Sequence, residues 1–177
     1  MSDFSYIAVP RAFEEGPDPR VPTALKPGEY GHVYEMSLWP VSSRTTFRDC
    51  FSNKFVYNFD ASLDYFDEAG MRAAVENSTT KIDREFLYKL MGTSAEFQNS
   101  RTKIDRERLY KLLDSYLHDD EFCEIYTEFI SGSYRKKFIL GPPKKYETIF
   151  LDELLLTQKL IIQEDLKVTI KKRGKGG

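Results

Sequence analysis

Apolar and polar positions follow two periods along this chain. Segments 32–39 (HVYEMSLW) and 54–59 (KFVYNF) are rich in aromatic and aliphatic residues and are bounded by turn formers, so both predict short strands. Positions 60–75 predict a helix interrupted at Gly70, with Asp60, Asp64, Asp67 and Glu68 along one side. Aligned carboxylates can hold a hard cation or work as acid and base. Without an Asp-x-Asp-x-Asp-Gly loop they read as a solvated face, where Glu68 can pair with Arg72. Leu166, Val168 and Ile170 then alternate with Lys167, Thr169 and Lys171, the period of a half-buried strand.

The strongest pattern is a duplication. Residues 77–90 (NSTTKIDREFLYKL) and 99–112 (NSRTKIDRERLYKL) lie 22 positions apart and differ only at Thr79/Arg101 and Phe86/Arg108. Thr80 and Thr102, each followed three residues later by Asp83 or Asp105, fit helix N-caps. Behind each cap the apolar residues fall in one arc: Ile82, Phe86, Leu87 and Leu90, then Ile104, Leu109, Leu112 and Leu113. The polar stretch 92–101 is long enough to reverse the chain, and a helical hairpin over 80–118 is expected. Packing accounts for the caps and the apolar arc. The exterior is retained as well, with Arg84, Tyr88 and Lys89 matched by Arg106, Tyr110 and Lys111. Two explanations fit: a recent duplication, or a bivalent surface centred on the two tyrosines.

Farther on, 124–130 and 134–140 flank Ser131-Gly132-Ser133 and predict a β-hairpin, and 146–158 predicts a helix burying Ile149, Phe150, Leu154 and Leu155. Residues 1–30 hold five of the chain's eight prolines and read as an extended arm, either disordered or strapped to a partner. The expected fold is α+β. Its parts are a Pro-rich N-terminal arm at 1–30, short strands, a central helical hairpin built from the duplicated segment, and a C-terminal ββαβ unit at 124–171. Residues 31–171 form one domain, and 172–177 a flexible basic, Gly-rich tail.

Composition narrows the function classes. The 177 residues are 41% hydrophobic and 31% charged, ordinary for a globular protein with a real core. The aromatic share of 14% suits cores and interfaces alike. A net charge of −2 supplies no global field for nucleic acid or membrane. The basic residues of the second repeat, Arg101, Lys103, Arg106, Arg108 and Lys111, interleave with Asp105, Glu107 and Asp114, which cancel most of the field phosphate binding requires. MSDFSY lacks the charged and apolar regions of a signal peptide, and 148–162 is too short and too polar to span a bilayer. Cys50 and Cys123 therefore read as reduced structural thiols and the protein as cytoplasmic, with no membrane insertion.

No catalytic constellation emerges. His118 and Cys123 flank a helix-to-strand boundary without the geometry of a nucleophile and its base. His118, Asp119, Asp120 and Glu121 are adjacent ligands that rarely converge on one ion, and no phosphate-cradling loop occurs. No cofactor or metal is expected. The ending LKVTIKKRGKGG is a strand that releases a basic segment closing in Gly176-Gly177. It resembles the end of ubiquitin-like modifiers. That resemblance implies a compressed β-grasp in 124–171 and Gly177 as the activated carboxylate, with Gly176 giving clearance. The leading expectation is a non-catalytic protein–protein interaction or assembly subunit, whose surface includes Arg84, Tyr88, Lys89, Arg106, Tyr110 and Lys111. The alternative is a modifier conjugated through its Gly-Gly end.

Overall fold

A computed structural model of the chain describes residues 2–13, 36–66, 69, 72, 76, 84–130 and 137–176. Its central strand is the first one, β1 (Ser2–Val9), which lies between β4 (Phe55–Asp60) and β5 (Phe122–Ile130) and is antiparallel to both. Tyr6, Ile7, Ala8 and Val9 are all buried. A strand covered on both faces reads as a continuous apolar run, which is what YIAV is. This corrects the extended arm over its first residues: the prolines begin at Pro10, immediately after the strand ends. Residues 14–30, with the remaining prolines of that stretch, lie outside the described residues.

With β2 (Ser37–Pro40), β7 (Lys145–Phe150) and β8 (Leu166–Lys171), the sheet runs β2-β4-β1-β5-β8-β7. Every neighbouring pair is antiparallel except β7 and β8, which are parallel. On one face Ile7, Ile125, Ile149 and Val168 meet Leu109, Leu113 and Leu117, together with Leu154 and Ile161 from the connection between β7 and β8. On the other face Tyr6 and Tyr126 pack with Cys50, Leu140, Phe47 and Phe51. There β3 (Thr45–Phe47) and β6 (Phe138–Leu140) form a small parallel pair, and Phe47 stands edge-on to Tyr6 at 4.9 Å between ring centroids. Each fully buried aliphatic or aromatic side chain contributes roughly 1.5–3 kcal/mol, so both faces stabilise the sheet.

The helical hairpin is replaced by one helix. α1 (Arg84–Tyr116) runs 33 residues without interruption, about 50 Å at the usual rise. Stretch 92–101 contains no proline, and its single glycine costs only about 1 kcal/mol in a helix. Its polarity serves tertiary hydrogen bonds rather than a turn. The Phe66 amide donates to Asn99 Oδ1 at 2.7 Å, and Gln98 Nε2 donates to Ser62 Oγ. Thr102 lies within the helix instead of capping it, and its hydroxyl donates to the Asp64 carbonyl at 3.1 Å. Because 22 residues make about six turns, 84–90 and their counterparts 106–112 sit roughly 40° apart in phase and about 33 Å apart along the axis. Residues 77–83, including Thr80 and Asp83, lie outside the described residues.

The C-terminal ββαβ unit is corrected too. β5 pairs with β1 and β8, while β6 pairs with β3, so the two strands do not form a hairpin. Residues 131–136 lie outside the described residues. Most of the expected 146–158 helix is β7 followed by a 3-10 turn at Leu151–Glu153. KYETIF carries Tyr, Thr, Ile and Phe, residue types enriched in strands, and its backbone finds a partner in β8. The β-grasp implied by the tail is absent, since β5, β7 and β8 belong to the larger sheet and β6 to the small pair. β8 keeps its expected alternation, with Leu166, Val168 and Ile170 buried. The predicted 60–75 helix is corrected in its first half, since Asp60 ends β4 and 61–66 is non-helical, while residues 69 and 72 are helical. Asp67 and Glu68 lie outside the described residues.

Candidate interaction surface

The duplicated exterior divides once it is folded. Arg106 is 1% exposed. Its Nε donates to the Leu63 carbonyl at 2.7 Å, Nη1 to the carbonyls of Leu154 (3.1 Å) and Thr157, and Nη2 to that of Lys159 at 3.3 Å. The guanidinium also stands 4.7 Å from the centroid of the Tyr65 ring. Tyr110 is half-buried against the main core, and Lys111 is exposed. Arg84, Tyr88 and Lys89 lie on the backbone of α1, and their side chains are outside the described part of the structure. The structure therefore brings Arg106 into the interior rather than onto a shared surface with Tyr110 and Lys111.

Two carboxylates complete this clamp. Asp64 Oδ1 accepts the Ile161 amide at 2.6 Å, and Asp64 Oδ2 accepts that of Ile162 at 3.1 Å. Asp105 Oδ2 accepts the Ser62 amide at 2.8 Å, whereas Asp105 Oδ1 has no hydrogen-bond partner. Burial raises both carboxyl pKa values, against the lowering effect of these amides. Burial likewise lowers that of Arg106, opposed by Tyr65 and Asp64. Guanidinium basicity is high enough that Arg106 stays charged. Segment 62–66 and connection 151–165 are thus both fastened to one stretch of α1.

The basic tail is fastened as well. The Lys172 amide donates to the Glu121 carbonyl at 2.9 Å, and its Nζ lies 3.1 Å from Asp114 Oδ1. Arg173 stacks 3.5 Å from the Phe150 ring centroid and pairs with Asp152, while the Lys175 amide donates to Asp119 Oδ2 at 3.1 Å. Gly176 has φ +119°, a backbone conformation that suits glycine. Gly177 lies outside the described residues. Asp114 and Asp119, on the helix end and the turn after it, serve as partners of the tail. Glu121 pairs with Arg11, whose hydrogen bond holds the Glu121 carboxyl below its ordinary pKa. Cys50 and Cys123 are buried and unpaired.

The least covered apolar surface surrounds β7. This strand ends the sheet, and among the described residues nothing pairs with its outer side. Leu156 is 82% exposed and Tyr146 63%, and Leu155 and Leu160 are also exposed. A groove of about 360 Å³ is lined by Lys145, Tyr146, Glu147, Lys159 and Leu160. Gln163 and Leu166 complete its lining, and Lys145, Glu147 and Leu166 share one face of the sheet, so the groove lies between that face and the connection. A second concavity of about 250 Å³ adjoins it, between Ile149, Glu153, Leu156 and Thr157. Lys159 Nζ bonds Glu147 Oε1 at 2.6 Å and closes the wall between them. Reading 146–158 as a helix hid this edge. The β-branched and aromatic residues of KYETIF are the available signal.

Comparison of the chain with protein-family models, curated proteins and solved structures finds no match. Among the described residues no helix is long and apolar enough to cross a membrane.

Arg106→Met keeps the aliphatic stem but leaves four carbonyls without their donor. It is expected to cost roughly 3 kcal/mol in urea unfolding, against about 0.5 kcal/mol or less for Lys111→Ala. Asp105 folds with its pKa above the unfolded value, so the folded state binds the proton more tightly. Its contribution is most favourable below the unfolded pKa and is lost as pH rises through the folded one. The stability of Asp105→Asn relative to the parent should therefore increase from pH 4 to pH 7. A pH-independent difference in unfolding free energy would count against a raised Asp105.

Proposed function

We propose that this chain is a non-catalytic protein-interaction or assembly subunit that docks a partner along β7 and the adjoining connection. The observation that carries the reading is Leu156, 82% exposed beside a strand whose outer side is unpaired among the described residues. An open edge offers a row of backbone donors and acceptors to an added strand. The neighbouring apolar side chains supply the desolvated contact that gives such pairing its strength. The opposite edge is a weaker candidate. β2 has four residues and ends in Pro40, which has no amide to donate.

The modifier reading gains no support from the tail, whose backbone is held at Lys172 and Lys175. Replacing the two most exposed leucines, Leu156→Asp with Leu160→Asp, places charge on the surface without touching the core. Affinity capture from native lysate should then lose, by at least about tenfold, a protein retained by the parent chain. The circular dichroism spectrum and the urea midpoint should stay unchanged. An identical set of retained proteins for parent and variant would refute the proposed surface.

A further inference from the structure

The chain beyond β8 is held by contacts of a different kind from those inside the sheet. Lys172 still belongs to the ladder: its amide donates to the Glu121 carbonyl at 2.9 Å, and its carbonyl accepts the Asp120 amide at 3.0 Å. Past Lys172 the hydrogen-bonding and ionic partners among the described residues are carboxylates. Arg173 Nε lies 3.2 Å from Asp152 Oδ2 and Nη2 lies 4.0 Å from Glu153 Oε1, while the Lys175 amide donates to Asp119 Oδ2 at 3.1 Å. The same guanidinium stands 3.5 Å from the centroid of the Phe150 ring. The side chains of Arg173, Asp152 and Glu153 are each at least half exposed. Ion pairs so exposed are individually weak, and salt screens them as the Debye length falls from about 8 Å to about 3 Å.

This contact sits at one end of the docking surface. Phe150 closes β7 opposite Lys171, and Asp152 and Glu153 lie in the turn that leads to the exposed Leu155 and Leu156. Glu153 Oε2 also accepts the Phe150 amide at 2.7 Å, so an acid that faces Arg173 shapes the turn as well. We infer that Arg173 is an electrostatic latch on this surface. Closed, it covers the Phe150 ring and ties the tail to the turn. Open, it uncovers an aromatic ring and releases the turn before the leucines, while Lys172 keeps the tail anchored. The inference rests on reading β7 and its connection as a docking surface, and it adds the regulation of that surface. A partner that gains contact with the bared ring binds the open form better and shifts the balance toward it. Rising ionic strength opens the latch and strengthens docking. That sign is opposite to an interface held by charges, which salt weakens.

Two measurements on the full chain test this. In nuclear magnetic resonance the Arg173 Nε proton, held over the Phe150 ring, should resonate upfield of an exposed arginine's at about 50 mM NaCl and return most of the way by about 0.5 M. Over the same range, retention of the lysate protein that depends on Leu156 and Leu160 should rise about threefold for the parent chain. Arg173→Ala should retain it strongly at both salts, whereas Arg173→Lys, which keeps the charge, should still respond. A general effect of salt on apolar contact would move the parent and Arg173→Ala alike, and that result overturns the latch. So does an Arg173 signal indifferent to salt. If the leucine changes lose no partner, the docking surface itself falls and its regulation with it. If they lose one whose retention is the same for the parent and Arg173→Ala, the surface stands and only the latch falls.

Discussion

The arrangement of this protein depends on where one charged side chain is buried. Arg106 donates to carbonyls at Leu63, Leu154, Thr157 and Lys159, from two segments far apart in sequence. Both segments are irregular, so their carbonyls have no ladder to satisfy them and would be costly to bury alone. Asp64 works in the opposite sense, accepting the amides of Ile161 and Ile162 from the same connection. Between them, an acid and a base supply the hydrogen bonds that a helix would have made internally. The connection from β7 to β8 can then cross the sheet with little regular structure, burying Leu154 and Ile161 while leaving Leu156 and Leu160 outside.

That placement joins the interior to the proposed docking edge. β7 and β8 are the only parallel neighbours in the sheet, and a parallel pair needs a crossover. The crossover is fixed to α1 at Arg106, so the helix sets the position of the exposed leucines beside β7. Arg173 on Phe150 and Lys167 over Tyr146 cover part of the opposite face of the same strand. What stays open is the edge.

Parts of this were legible in the sequence for local reasons. β8 declares itself by strict alternation, and 54–59 differs from β4 by one residue at each end. β1 was obscured because the prolines that follow it colour the whole N-terminal stretch, although YIAV is the mark of a strand buried on both faces. Stretch 92–101 looked like a turn because Gln98, Asn99 and Thr102 are polar. Their partners, Ser62, Asp64 and Phe66, are more than thirty residues away and invisible to any local pattern. Arg106 reads as exterior for the same reason, since arginine is mostly exposed unless paired. An offset of 22 residues, close to a whole number of turns, is the legible hint that 84–90 and 106–112 share one helix. The docking edge was hidden by the helix expected over 146–158.

Amide hydrogen exchange bears most directly on the docking edge. As a captured partner is added, the faster-exchanging amides of Lys145–Phe150 should slow markedly while those of Ser37–Pro40 keep their rates. Unchanged exchange in Lys145–Phe150, with new protection confined to another surface, would contradict it.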